Sequence, residues 1–293
     1  MNFKSGAELL RLCAENRLSI SGVMIERERE IQGSSREALI ADMAGSYEVM
    51  RRGAKKALAE PVPSMGGLIG GEAAKIAARR EKAKPVCGVL MSKAASFAMG
   101  IMELNASMGL IVASPTAGSS GVLPGVLLAV QEEFGLDESD MIPPLFNAAA
   151  IGYLITRNAT VSGAQGGCQA EVGTASAMAA SSLAELMGAS PASCLAAASS
   201  ALANMLGLVC DPVAGLVEVP CQKRNALGAA NALISAELAL SGVGELIPFD
   251  EMVDTLFQVG QRIPVELRET ALGGIAACPS ARNIAARLKN GPL

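Results

Sequence analysis

The chain has 293 residues, 51% hydrophobic but only 3% aromatic, with no Trp and two Tyr. Ala, Gly, Met and Leu dominate, which favours close helix packing over β-sandwich cores built from β-branched and aromatic side chains. A net charge of -4 without a basic stripe gives no reason to expect nucleic acid, and the complete absence of His removes the commonest acid-base side chain and metal imidazole. Chemistry here must come from thiols, carboxylates, Lys, hydroxyls or another chain.

In chain order, the N-terminal "MNFKSGAELLRLCAENRL" has acidic residues and helical spacing where a signal peptide would carry an apolar block. Ser34 followed by Glu37 reads as a capping box opening a helix on which Leu39, Ile40, Met43, Tyr47 and Met50 recur at helical spacing. A Pro/Gly-rich break covers residues 60–75, and a helix fits residues 88–105. The uncharged loop "ASPTAGSSG" follows, then a helix from about Leu123 to Gly135. Residues 104–131 carry no charge and are long enough to span a bilayer, yet their Asn, Ser, Thr and Pro content reads as the interior of a soluble, cytoplasmic protein. Helices are expected at 142–157 and 169–187, separated by "NATVSGAQGGCQ". Ser190-Pro191 should cap a helix ending at Gly207. After "CDPVAGLVEVPC" come helices at about 225–241 and 250–261, then "RETALGGIAACPS" and a short basic amphipathic end. "GLIVAS" and "GLVEV" are the only strand candidates. The expectation is an all-α single domain over 1–293, with an N-terminal helical part (1–60) and the functional loops in 61–293.

Three cysteines sit in those loops, Cys168 in "SGAQGGCQAEVG" and Cys210 and Cys221 at the ends of "CDPVAGLVEVPC". Their spacing matches neither a ferredoxin run nor a zinc finger, so spacing alone leaves a shared metal or cluster site and plain packing both open. Glycines at 163, 166 and 167 would let the backbone approach a bulky group, and Pro212, Gly215 and Pro220 would fix the second loop. Cys13, Cys194 and Cys87 read as packing residues, whereas Cys278 is in a loop-like segment that could approach a site. The loop 114–121 offers four hydroxyls and several N–H groups before a helix start, either a cradle for a carboxylate or phosphate or a polar turn. No phosphate-binding P-loop motif occurs, and "GGLIGGEA" lacks the strand that a dinucleotide fingerprint needs.

Taken together, "ASPTAGSSGVLPGVL", "NATVSGAQGGCQAEVG", "MLGLVCDPVAGLVEVPCQKRNA" and "RETALGGIAA" resemble the iron-sulfur-dependent L-serine dehydratases, specifically the α subunit of the two-subunit bacterial type, from about residue 15 to 280. The resemblance implies a [4Fe-4S] cluster on Cys168, Cys210 and Cys221, whose fourth iron lacks a protein thiolate and acts as a Lewis acid on the serine hydroxyl, giving pyruvate and ammonia. It further implies that Ser114, Thr116, Ala117 and Gly118, with Asn105, contact the substrate carboxylate, and that Gly166 and Gly167 keep the cluster approach open. Asn158, Ser162 and Gln169 would stand around the site. Lys75 matches the two-subunit enzymes as a base, the other sources being a partner chain, a carboxylate or water. Single-chain relatives end in a cysteine that can occupy the fourth iron; here the nearest is Cys278, earlier in register. A separate β subunit and an oligomer are implied as partners. The alternatives are a cluster-dependent L-cysteine desulfidase, an L-threonine dehydratase, or a helical metal-binding assembly subunit.

Overall fold

The computed structural model describes residues 1–289. Thirteen α-helices occur among them: α1 Gly6–Asn16, α2 Ile20–Gln32, α3 Arg36–Ala59, α4 Glu72–Lys82, α5 Gly88–Ala106, α6 Val122–Phe134, α7 Ile142–Asn158, α8 Gly163–Gly166, α9 Thr174–Leu186, α10 Pro191–Ala203, α11 Cys221–Leu240, α12 Phe249–Arg262 and α13 Pro279–Lys289. No strand forms among the described residues; a single isolated bridge joins Cys210 to Arg268. The all-α expectation is therefore met, and no helix among the described residues is long and apolar enough to cross a membrane. Of the expected basic amphipathic end, α13 supplies the described part, and residues 290–293 lie outside it.

Small residues explain the arrangement. In α9 every residue from Thr174 to Ala184 is buried, and the run is almost entirely Ala and Ser, so α6, α7, α10 and α11 pack closely around it. Of its buried hydroxyls, Ser176 donates to the Gly228 carbonyl at 2.9 Å and accepts from Asn231 at 2.9 Å, Ser182 turns back to the Met178 carbonyl, and Thr174 and Ser181 have no partner. In α6 the residues Val122 to Val130 are all buried, and each fully buried Val or Leu contributes about 1.5–3 kcal/mol. α5 crosses α6 where a Cβ on Gly125 would lie 2.8 Å from the Ala94 carbonyl, so only glycine permits that approach.

Three local expectations are corrected. The cap of α3 is Ser35, whose hydroxyl accepts from Ala38 N–H at 3.2 Å, and Glu37 lies in the first turn; of the expected stripe, Leu39, Tyr47 and Met50 are buried while Ile40 is exposed. The helix capped by Ser190 stops at Ala203, because the chain turns at 204–207 and sends Gly207 N–H and the Leu208 carbonyl to Gln169. "GLIVAS" and "GLVEV" are loops: Gly109 N–H closes back on the Leu104 carbonyl, the N–H groups of Leu216 and Glu218 go to the nearby Val213 and Leu216 carbonyls, and the Glu218 carboxylate turns inward to Gly66 and Leu68 N–H.

The N-terminal ends of α6, α9 and α11 meet at one end of the bundle, together with the C-terminal part of α5. Into that end fold the loops 60–71, 107–121, 159–173 and 204–220.

Candidate active site

Cys168 is 2% exposed and stands at the head of a single π-helical turn, Gln169–Gly173, which leads into α9. Such turns recur at functional sites. Gln169, fully buried, fixes this segment: its N–H donates to the Leu208 carbonyl (2.9 Å), its Nε2 to the Leu256 carbonyl (2.8 Å), and its Oε1 accepts from Gly207 N–H (2.8 Å). Gly167, at φ 75°, presses against the Leu208 carbonyl, where a Cβ would clash. Cys210 is paired through backbone to the C-terminal segment: its N–H donates to the Leu267 carbonyl at 2.8 Å and its carbonyl accepts from Glu269 N–H at 2.7 Å. Cys221 is the first residue of α11 and is buried.

The thiols of Cys168 and Cys210 and a carboxylate oxygen of Glu171 lie within 4.8 Å of one another. A hydrogen bond from Cys210 and the charge of Arg224 hold the Cys168 thiol below its ordinary pKa against its burial. The same hydrogen bond, now donated, and burial push Cys210 up. Burial and the charge of Cys168 push Cys221 up to about 12. Cys168 is thus the first of the three to become a thiolate, and the others ionise only against a compensating cation.

Glu171 went unnoticed in the sequence. It is mostly buried, its carboxyl raised by burial despite accepting from Thr116 Oγ1 at 2.7 Å. Its oxygens lie close to Gly163 and Gly118, whose missing side chains make the room. The loop 114–121 therefore meets the cysteines through Thr116 and Glu171. Thr116 also bonds Ser119 at 2.9 Å, Asn225 donates to the Gly118 carbonyl at 2.8 Å, and Ala117–Ser119 form one 3-10 turn. Ser114 is 5% exposed and its buried hydroxyl has no partner. Both this loop and the 210–221 loop contain a cis X-Pro bond, at Ser114-Pro115 and Val219-Pro220.

The outer flank of the 210–221 loop is held by carboxylates. Glu218 accepts from Ser64 Oγ (2.5 Å), Gly66 N–H (2.8 Å) and Leu68 N–H (3.0 Å). Glu103, fully buried on α5, accepts from Gly71 N–H (3.0 Å) and Ala73 N–H (2.9 Å) at the start of α4 and from Gln222 Nε2 (2.7 Å).

Not every expected residue joins the cysteines. Lys75 projects into solvent from α4, 76% exposed, with Glu72 at 3.7 Å. Asn105 lies in the last turn of α5, its carbonyl accepting from Met108 N–H. Asn158 donates to the Lys4 carbonyl at 2.8 Å, a tie between α7 and the N-terminus. Ser162 serves through its carbonyl, which accepts from Gln165 and Gly166 N–H. Cys278 is exposed at the start of α13, and Cys87, expected as a packing residue, is exposed before α5; Cys13 and Cys194 are buried as expected. Cys87 stands where the chain turns into α5 at Gly88 (φ 77°), so its side chain faces outward.

Among known proteins, the family model described as "Serine dehydratase alpha chain" matches residues 15–276. A Bacillus subtilis protein named "Probable L-serine dehydratase, alpha chain" is 46% identical, over 99% of this chain and 97% of its own length. The L-serine dehydratase alpha chain of Peptoniphilus asaccharolyticus is 41% identical over 94% of this chain and 95% of its own. L-serine dehydratase 2 of Escherichia coli is 37% identical over 94% of this chain but only 61% of its own length.

Proposed function

The chain belongs to the serine dehydratase alpha chain family, and we propose that it is the catalytic chain of an L-serine dehydratase, an iron-sulfur lyase that converts L-serine to pyruvate and ammonia. The observation that carries this is the meeting of two buried thiols, Cys168 and Cys210, with the Glu171 carboxylate, the buried Cys221 feeling the charge of Cys168 from the start of α11, beside a loop whose buried Ser114 hydroxyl has no protein partner.

The donor set fits a [4Fe-4S] cluster. Three soft thiol donors, Cys168, Cys210 and Cys221, suit iron-sulfur chemistry better than a hard cation. They leave one iron without a thiolate, Cys278 being exposed. When bound, the cluster supplies a Lewis acid for the β-hydroxyl of serine. The protein's part is binding, orientation and proton handling. The Ser114 hydroxyl and the N–H groups of Ala117 and Gly118 hold the substrate carboxylate, while Thr116, whose hydroxyl proton goes to Glu171, lines that side; Asn105, in the last turn of α5 with its carbonyl on Met108 N–H, has no part in this scheme. Gly166 and Gly167 keep the backbone flat beside Cys168. Glu171 takes the Cα proton: burial lifts its carboxyl toward the neutral range where a general base is most effective, and Thr116 keeps it aimed at the loop that holds the substrate. Lys75, exposed and paired with Glu72, has no part in this scheme.

The relatives named as alpha chains support a separate β chain, which would correspond to sequence that the longer Escherichia coli protein carries in one chain. We expect the two to form an oligomer. An oxygen-labile cluster suits the reducing cytoplasm.

The test is anaerobic reconstitution with iron and sulfide of the wild type beside Cys168→Ala, Cys210→Ala and Cys221→Ala, with and without the β chain, measuring iron content and pyruvate formed from L-serine, L-threonine and L-cysteine. Full cluster content in any of the three variants refutes the ligand assignment. Sulfide release from L-cysteine exceeding serine turnover marks a desulfidase, and a threonine preference marks a threonine dehydratase. A colourless, zinc-bearing, inactive complex marks an assembly subunit.

A further inference from the structure

Arg224, in the first turn of α11, has 12% of its side chain exposed, and its Nη1 stands among three groups. It donates to the Cys168 sulfur at 3.5 Å and to the Val209 carbonyl at 2.8 Å, and lies 2.8 Å from Asp211 Oδ1. Asp211 is 3% exposed, and its other oxygen accepts from Ile275 N–H at 2.6 Å. Gly274, at φ 59°, lies flat against that carboxylate, where any side chain would clash. One buried ion pair thus joins a cysteine on the α9 side, the backbone before Cys210, the start of α11 and the 274–275 turn. A buried guanidinium is costly unless its surroundings need its charge. Asp211 balances it within the apoprotein; a thiolate at Cys168, 3.5 Å away, would bring a surplus of negative charge.

We propose that Arg224 is a positioning residue for the cluster: it donates an N–H···S hydrogen bond to the Cys168 ligand, offsets the thiolate charge, and is held on target by Asp211. This rests on the cluster assignment above. Hydrogen bonds to cluster sulfurs and nearby positive charge stabilise the more reduced, more negative form, so Arg224 raises the reduction potential and slows oxidative loss of iron. Asp211 opposes it in charge while fixing its direction.

The experiment uses the reconstituted αβ complex and reads iron content, reduction potential by redox titration, and the half-life of cluster absorbance in air. Removing Arg224 alone strands Asp211, so the comparison is made in a background without that charge. Arg224→Met with Asp211→Asn should titrate at a lower potential than Asp211→Asn alone, and its iron affinity should fall about 10-fold or more. Its absorbance should bleach faster. Arg224→Lys, which keeps a charge but loses the fork, should lie between wild type and the methionine variant. Loaded clusters with the same potential and the same air lifetime in all four proteins would overturn the proposal. Lower iron content at an unchanged potential would also overturn it, reducing Arg224 to a scaffold residue. A wild type that takes up no cluster would refute the underlying assignment, and this inference with it.

Discussion

Two buried polar regions flank the 210–221 loop, and they differ in how fully their groups are answered. On one side Glu218 and Glu103 each accept three hydrogen bonds from backbone N–H or side-chain donors of loop 60–71, α4 and α11. On the other, Glu171 has one hydroxyl partner, Ser114 has none, and the Cys168 and Cys210 thiols lie together beside a single guanidinium that reaches Cys168. A buried polar group without a partner costs about 1–3 kcal/mol, so a fold tolerates several together only where something else completes them. The first region closes the structure and the second leaves work for a ligand. The same residue type, a buried glutamate, is fully bonded in one and holds a single side-chain partner in the other.

The largest effects are expected at the thiols. Any one of Cys168→Ala, Cys210→Ala or Cys221→Ala should abolish serine turnover while far-ultraviolet circular dichroism of the apoprotein stays unchanged, because removing one sulfur from a loop or a helix start leaves the helices themselves intact. Next comes Glu171→Gln, expected to lower kcat by about 10²–10⁴-fold, the usual weight of a positioned proton acceptor, with iron content kept. Burial holds the Glu171 carboxyl above its ordinary value of 4.5, so the folded state keeps this proton to higher pH than the unfolded chain does. Stability is therefore greatest below that value and declines as pH rises through the folded one; in Glu171→Gln thermal melts from pH 4 to 8 should show a flatter decline. Glu103→Gln should act on stability more than on turnover. An amide NH₂ would face N–H donors, costing about 1–3 kcal/mol and lowering the melting temperature, with activity falling only as far as the folded fraction does. Lys75→Ala should be the mildest, leaving kcat/KM within about twofold, as expected of an exposed side chain. A loss of 100-fold there would return Lys75 to the chemistry.

Helices were legible where small and apolar residues recur and Ser-Pro or Gly mark the ends: α5, α6, α7 and α12 fall within a residue or two of expectation. The three cysteines stand out in the sequence because each lies in or at the edge of a Gly- or Pro-rich interruption. Ser34 has Glu37 at capping-box spacing, yet Ser35 takes the cap, accepting from Ala38 N–H while its side chain also engages Glu37. What else escaped was anything defined by a partner distant in sequence. "GLVEV" alternates like a strand, yet Glu218 is drawn inward by loop 64–68, some 150 residues earlier. Asp211 and Arg224 both sit in quoted motifs but gain meaning only from Cys168 and Ile275. Glu171 did leave a signal. Between residues 158 and 210 the only charges are Glu171 and Glu185, and Glu171 follows Cys168 by three, close to one helical turn.

The π-helical turn after Cys168 carries a consequence of its own. A π turn holds one residue more than an α turn, and each residue of an α-helix advances the chain by about 100° around its axis. Deleting Ala170 would let Gln169–Gly173 relax into the α9 helix and leave the buried Ala/Ser face of α9 where it is. Cys168 would then swing through about a quarter of a circle, away from Cys210. That single extra residue acts as the phase setting between a generic hydrophobic bundle and the chemistry mounted on its end, so a one-residue deletion here should cost more than a larger change in any exposed loop.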